Sequence, residues 1–264
     1  MRPGRGCREG ARRGLQKKLL RQSAVWRQDQ AMPQRIPLLL LPGLLCDEAL
    51  WRPQIAGLSD VADPRIADLS QDDSAAGMAR RALATAPREF ALAGLSMGGY
   101  VAQEIMRQAP ERVLRLALLD TNSRADTPEQ TARRRGLIEL SEKGEFKGVT
   151  PRLLPLLVHP ARTEDEPLTR IILGMAEHIG KDGFLRQQKA IMARPDGRED
   201  LRRIHCPALV LCGRQDALTP LALHEEIASL IPGAELTVIE DCGHLSTLEK
   251  PKSVNAALRR WLLQ

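Results

Sequence analysis

The chain has 264 residues, 43% hydrophobic and 27% charged, which suits one large domain of ordinary soluble composition. Its net charge of +6 is confined to the start: residues 1–31 carry nine Lys/Arg against two acids, whereas the remainder holds 30 bases and 31 acids, so no nucleic-acid partner is expected. Five cysteines (Cys7, Cys46, Cys206, Cys212, Cys242) without CxxC or metal-ligand spacing speak against a disulfide framework or a metal site and fit a reducing cytoplasm; no apolar run approaches the ~20 residues that span a bilayer, so no membrane partner is expected either.

Residues 1–31 lack the apolar stretch of about 7–15 residues that a secretory signal needs. They read as a disordered basic tail, or as sequence ahead of a true start at Met32, with the folded domain at 32–264. Ile36 to Leu41 is a short aliphatic run stopped by Pro42-Gly43, hence a buried strand and a sharp turn. Val61 to Asp68 is a weaker strand candidate. Ala75 to Ala86 has helical composition and ends before Pro87. Glu89 to Ala93 reads as a strand, Gly94 to Gly99 as a turn, and Tyr100 to Gln108 as a helix stopped before Pro110. Val113 to Leu119 is a further strand.

Between Thr121 and Ile204 the pattern is mostly helical, interrupted by Gly144, Gly148, Pro151, Pro155, Pro160, Pro167 and Pro195. Strand pattern resumes at Ala208 to Leu211, a helix opens at Thr219-Pro220 and runs to about Leu230, Glu235 to Ile239 is the last strand, and Pro251 to Leu263 the last helix. Aliphatic strands alternating with helices imply an α/β fold with a mostly parallel sheet covered on both faces. The one long break, about 121–203, reads as a helical lid inserted above that sheet. Acids and bases are nearly balanced in it, so the count implies no charged substrate.

Gly94-Leu95-Ser96-Met97-Gly98 matches the G-x-S-x-G nucleophile elbow. Its serine must sit on a tight strand-to-helix turn, where side chains two residues to either side would clash. A serine at its free pKa is a poor nucleophile and needs a base held by an acid. In the order expected, Asp216 follows one strand and His244 follows the next, both at strand carboxyl ends. Asp120 also ends a strand and competes with Asp216 as the acid. His159, His178, His205 and His224 have no visible pairing with Ser96. Oxyanion donors are expected from the N–H of Met97, after the nucleophile, and of Leu44, which Gly43 would turn inward. No cofactor or metal is required by this set.

Leu38-Leu39-Leu40-Leu41-Pro42-Gly43, Gly94-Leu95-Ser96-Met97-Gly98-Gly99-Tyr100, Cys206-Pro207-Ala208-Leu209-Val210-Leu211-Cys212-Gly213-Arg214-Gln215-Asp216 and Asp241-Cys242-Gly243-His244-Leu245-Ser246 together resemble the α/β-hydrolase superfamily, from Ile36 to the C-terminus. The resemblance implies a helical lid after the sixth family strand and puts the acid at Asp216. Two departures stand out: Pro42-Gly43 replaces the usual His-Gly at the oxyanion turn, and the family's first two strands have no counterpart, leaving about six strands.

The resemblance is strongest to carboxylesterases and enol-lactonases, implying hydrolysis of a small carboxylic ester, thioester or lactone. Cofactor-free haloperoxidases, which carry out perhydrolysis, and acyltransferases use the same triad. A small-ligand-binding protein on the same scaffold is the alternative of another class, and a fluorophosphonate probe separates it from an enzyme.

Overall fold

The computed structural model describes residues 35–264; the tail assigned to residues 1–31 lies outside them. The described residues hold a six-stranded sheet, with β1 (Ile36–Leu41), β2 (Ala62–Ile66), β3 (Phe90–Leu95), β4 (Val113–Leu119), β5 (Ala208–Gly213) and β6 (Glu235–Ile239) in the spatial order 2-1-3-4-5-6. All five pairings are parallel, so the sheet is wholly rather than mostly parallel. Alternate residues of each strand point to opposite faces. Leu38 and Leu40 pack with Trp51, Leu58 and Trp261 on one face, while Leu39 and Leu41 pack with Met78, Phe90 and Val101 on the other. Both faces are buried, which is why the strands are continuous aliphatic runs without polar alternation. Pro64 removes a backbone donor and is tolerated because β2 lies at the sheet edge, paired only with β1.

Among the described residues seven longer helices cover the sheet or join its strands, beginning with α1 (Arg52–Leu58), α2 (Ala75–Thr85), α3 (Met97–Gln108), and, past β4, α4 (Pro128–Leu140) and α5 (Glu166–Met192). Then come α6 (Leu221–Leu230) and α7 (Pro251–Leu263). Between β4 and β5 the chain forms no strand among the described residues. Its α4 begins with a full capping box between Thr127 and Gln130. Gly180, at φ 67°, breaks α5 into two arms.

The strand order fixes where a site can form. The chain leaves β1 for the edge strand β2 and returns on the other side of β1 as β3. The carboxyl ends of β1 and β3 therefore lie side by side, with Leu41 opposite Gly94. A crevice forms at such a switch point because the connections leave in opposite directions.

Candidate active site

Ser96 occupies the bend between β3 and α3. Its φ of 56° and ψ of −116° are sparsely populated for a residue with a Cβ, and the surroundings hold it there. The Ser96 N–H donates to Leu119 O at 3.0 Å, and its carbonyl accepts the Gly99 N–H at 2.9 Å and the Thr121 hydroxyl at 2.8 Å. The flanking glycines allow α3 to start directly against the sheet. A Cβ on Gly94 would overlap the backbone of Gly98, and one on Gly98 would overlap the carbonyl oxygen of Leu41. The helix thus begins at Met97, not Tyr100 as the glycine-rich stretch suggests. Ser96 makes the left-handed turn, and Gly98 and Gly99 are helical residues needed for close approach.

His244 brings Nε2 within 2.9 Å of Ser96 Oγ, and its Nδ1 lies 2.9 Å from Asp216 Oδ2. An ionised carboxylate can only accept, so Nδ1 carries the proton and Nε2 presents its lone pair to the serine hydroxyl. Asp216 is fixed in turn: Oδ1 accepts the Leu218 and Thr219 N–H groups, both at 2.9 Å, and Oδ2 accepts the Thr219 hydroxyl at 2.5 Å. His244 and Asp216 are both buried. Burial alone would raise the Asp216 carboxyl, but the charge and hydrogen bond of His244, with Thr219, bring it below its usual range. Burial alone would lower the His244 imidazole, yet the Asp216 charge and hydrogen bond raise it above its ordinary 6.5.

The loops that carry these two residues are laced together. The Gln215 N–H donates to Cys242 O at 2.9 Å, and the Cys242 N–H donates to Gln215 Oε1 at 3.0 Å. Asp241 turns the loop at φ 49°. Glu249 accepts the Gly243 N–H at 2.9 Å and the His159 N–H at 2.7 Å, tying the His244 loop to the segment before α5.

Asp120 stands close by without bonding to His244. Its carboxylate accepts the Gly213 N–H at 3.0 Å and the hydroxyl of Ser246. Burial, and then the negative charge of Asp216, raises its pKa well above the usual carboxylate range. Of the other histidines, His178 pairs with Asp47 at 2.6 Å and His224 is buried, accepting the Thr121 N–H at 2.9 Å. Burial lowers the His224 pKa to about 4. His159 accepts the Ala161 N–H, and His205 is exposed.

Leu44 lies in a turn closed by Cys46 N–H to Gly43 O at 3.1 Å. The Leu44 N–H has no acceptor among the described residues. Gly43 packs beside Ser96: a Cβ on it would sit 3.4 Å from Ser96 Cβ. The left-handed residue of the turn is Leu45, at φ 57°, rather than Gly43. Gln187 of α5 pins it, accepting the Leu45 N–H at 2.9 Å. Met97 is the first residue of α3, so its N–H has no intrahelical acceptor and lies at the positive end of the helix.

A cavity of about 500 Å³ opens over Ser96 and His244. Its walls come from the Gly43–Cys46 turn and from α4, α5 and the chain between them. The four cysteines among the described residues are free, and burial pushes the Cys46 thiol, which also lines this cavity, up to about 12. Among the described residues no helix is long and apolar enough to cross a membrane.

The sequence matches the model of the "Alpha/beta hydrolase family" over residues 18–257. A thermophilic esterase from Thermogutta terrifontis has a similar structure, with TM-score 0.79 and 29% identity over 86% of this chain and 89% of that one. The enol-lactonase of Burkholderia xenovorans LB400 shares the fold at TM-score 0.78 and 23% identity, covering 89% of this chain and 94% of its own. A Mycobacterium tuberculosis protein provisionally named a non-heme bromoperoxidase, BpoC, is 30% identical over 173 residues, 64% of this chain. The match spans 66% of that relative, just under two thirds of its length.

Proposed function

Because the chain belongs to the alpha/beta hydrolase family, we propose that it is a serine hydrolase cleaving a small carboxylic ester, thioester or lactone through an acyl-enzyme on Ser96. One observation carries this reading: the unbroken relay from Ser96 Oγ through His244 to Asp216, with both links at 2.9 Å, beneath a cavity.

Ser96 Oγ attacks the carbonyl carbon as its proton passes to His244 Nε2. The resulting imidazolium is stabilised by Asp216, whose carboxylate stays ionised. The oxyanion takes the N–H groups of Leu44 and Met97, each worth ~3 kcal/mol in the transition state. The tetrahedral intermediate collapses, His244 gives the proton to the leaving oxygen or sulfur, and the acyl-enzyme remains. Water then attacks with His244 as base, and the acid departs as Ser96 regains its proton. The helical segment of about 121–203 serves as the lid that limits water at this step.

Perhydrolysis uses the same acyl-enzyme with hydrogen peroxide in place of water, giving a peracid. The provisional name of the mycobacterial relative favours testing it, and fold and triad do not separate the two acceptors. Ser96→Ala should reduce hydrolysis of p-nitrophenyl acetate by ~10⁴-fold or more with the thermal melt unchanged. Undiminished turnover in that variant overturns the proposal.

A further inference from the structure

The balanced charges of the segment between β4 and β5 are not balanced where they face the cavity. Four bases line it, Arg133, Arg134, Lys147 and Arg194, against one acid, Asp126. That acid is already engaged. Its carboxylate, 1% exposed, accepts Arg134 Nε and Arg194 Nη1, each at 2.7 Å. One carboxylate between two guanidiniums leaves a unit of positive charge in the cavity wall. Arg194 is 5% exposed at its side chain, and Arg134 17%. Charge so far removed from water calls for a counter-ion.

Both guanidiniums are held in place with donors to spare. Arg194 Nε donates to Arg124 O at 3.1 Å, its Nη1 also donates to Ile191 O at 2.8 Å, and its Cζ lies 4.2 Å from the centroid of the Tyr100 ring. Arg134 Nη1 donates to Gln188 Oε1 at 2.8 Å. The Nη2 group of each has no acceptor among the described residues. A planar anion of one unit charge matches two rigid guanidiniums with free donors and one residual charge.

Ser96, Arg134 and Arg194 line the same cavity of about 500 Å³, so a carboxylate at the arginines and a carbonyl at Ser96 can belong to one small molecule.

Building on the hydrolase reading, we propose that Arg134 and Arg194 bind a substrate carboxylate, so that the ester or lactone cleaved is a short monoanion carrying a second, free carboxyl group. The apolar side of the cavity, including Phe146, Val149, Ile172, Met175 and Phe184, takes the uncharged part of the molecule.

The test uses the full chain carrying Ser96→Ala, which separates binding from turnover. Calorimetric titration at low ionic strength compares monomethyl glutarate with its uncharged amide analogue, methyl glutaramate. The proposal requires the monoanion to bind at least tenfold tighter. In the double variant Ser96→Ala/Arg134→Gln that ratio should shrink at least fivefold, with Arg134→Lys, which keeps the charge and loses the fork, falling between. A purely structural Arg134–Asp126–Arg194 tie would leave the ratio unmoved. Equal binding of acid and amide in Ser96→Ala overturns the proposal whether or not the Arg134 variants fold, as does a ratio unchanged in a folded Arg134→Gln protein. Absence of fluorophosphonate labelling at Ser96 in the wild-type protein would instead remove the hydrolase reading, and the binding ratio would still decide this one.

Discussion

Gly98→Ala is a sharp perturbation of the elbow because one methyl group must be absorbed by backbone. The new Cβ would overlap the carbonyl oxygen of Leu41 at the end of β1, and a carbonyl in a paired strand cannot rotate away as a long side chain would. Relief to van der Waals distance requires α3 to lift from β1 by on the order of 1 Å. Overpacking of this kind costs about 1–3 kcal/mol. In a domain of about 230 residues that lowers Tm by about 2–12 °C. The same movement carries Ser96 away from His244 and Leu44, and a 1 Å misplacement costs ~10²-fold in rate. Gly136→Ala is the control: a Cβ there meets nothing within 4 Å, and alanine in α4 should stabilise by about 0.5–1 kcal/mol. Circular-dichroism melts and kcat/KM on p-nitrophenyl acetate read both effects. Wild-type Tm and activity in Gly98→Ala would refute the close-approach account of the elbow.

Two further variants divide the acid's role. His244 must be neutral to accept the Ser96 proton, and Asp216 raises its pKa, so kcat/KM should rise with pH through a midpoint above 6.5. In Asp216→Asn burial is left to lower the imidazole pKa, so the midpoint should move to lower pH while the plateau falls by ~10⁴-fold; an unmoved midpoint would detach Asp216 from His244. Asp120→Asn should retain activity to within about tenfold, since Asp120 bonds Gly213 and Ser246 rather than His244. A pH–rate comparison in which Asp120→Asn loses more than Asp216→Asn would make Asp120 the acid.

Much of the fold is legible because proline and glycine punctuate aliphatic runs. Pro42-Gly43 ends β1, and Pro110 follows α3 closely. Errors arise where glycine has two meanings. Gly94 and Gly213 lie inside strands, and Gly98 and Gly99 inside a helix, because neighbouring backbone, or for Gly99 the Thr121 side chain, leaves no room for a Cβ there. A turn signal and a close-approach signal are the same letter in a sequence. The meeting of Ser96, Asp216 and His244 is legible because each falls just past a strand and all share one sheet edge. The contacts of Gln187, Glu249 and the Arg134–Asp126–Arg194 group are not. Their partners lie 142, 90, and up to 68 residues away, and which faces of α4 and α5 turn inward depends on how these helices pack. Counting charges between β4 and β5 likewise loses the side of each helix on which they sit.

The central claim is that Ser96 is a nucleophile activated by His244. A fluorophosphonate probe followed by peptide mass spectrometry tests it without knowledge of the substrate. The account predicts a stoichiometric adduct on the peptide containing Ser96 within minutes, and a strong slowing of labelling in His244→Ala. An unlabelled protein, or an adduct on another residue with Ser96 unmodified, would contradict it.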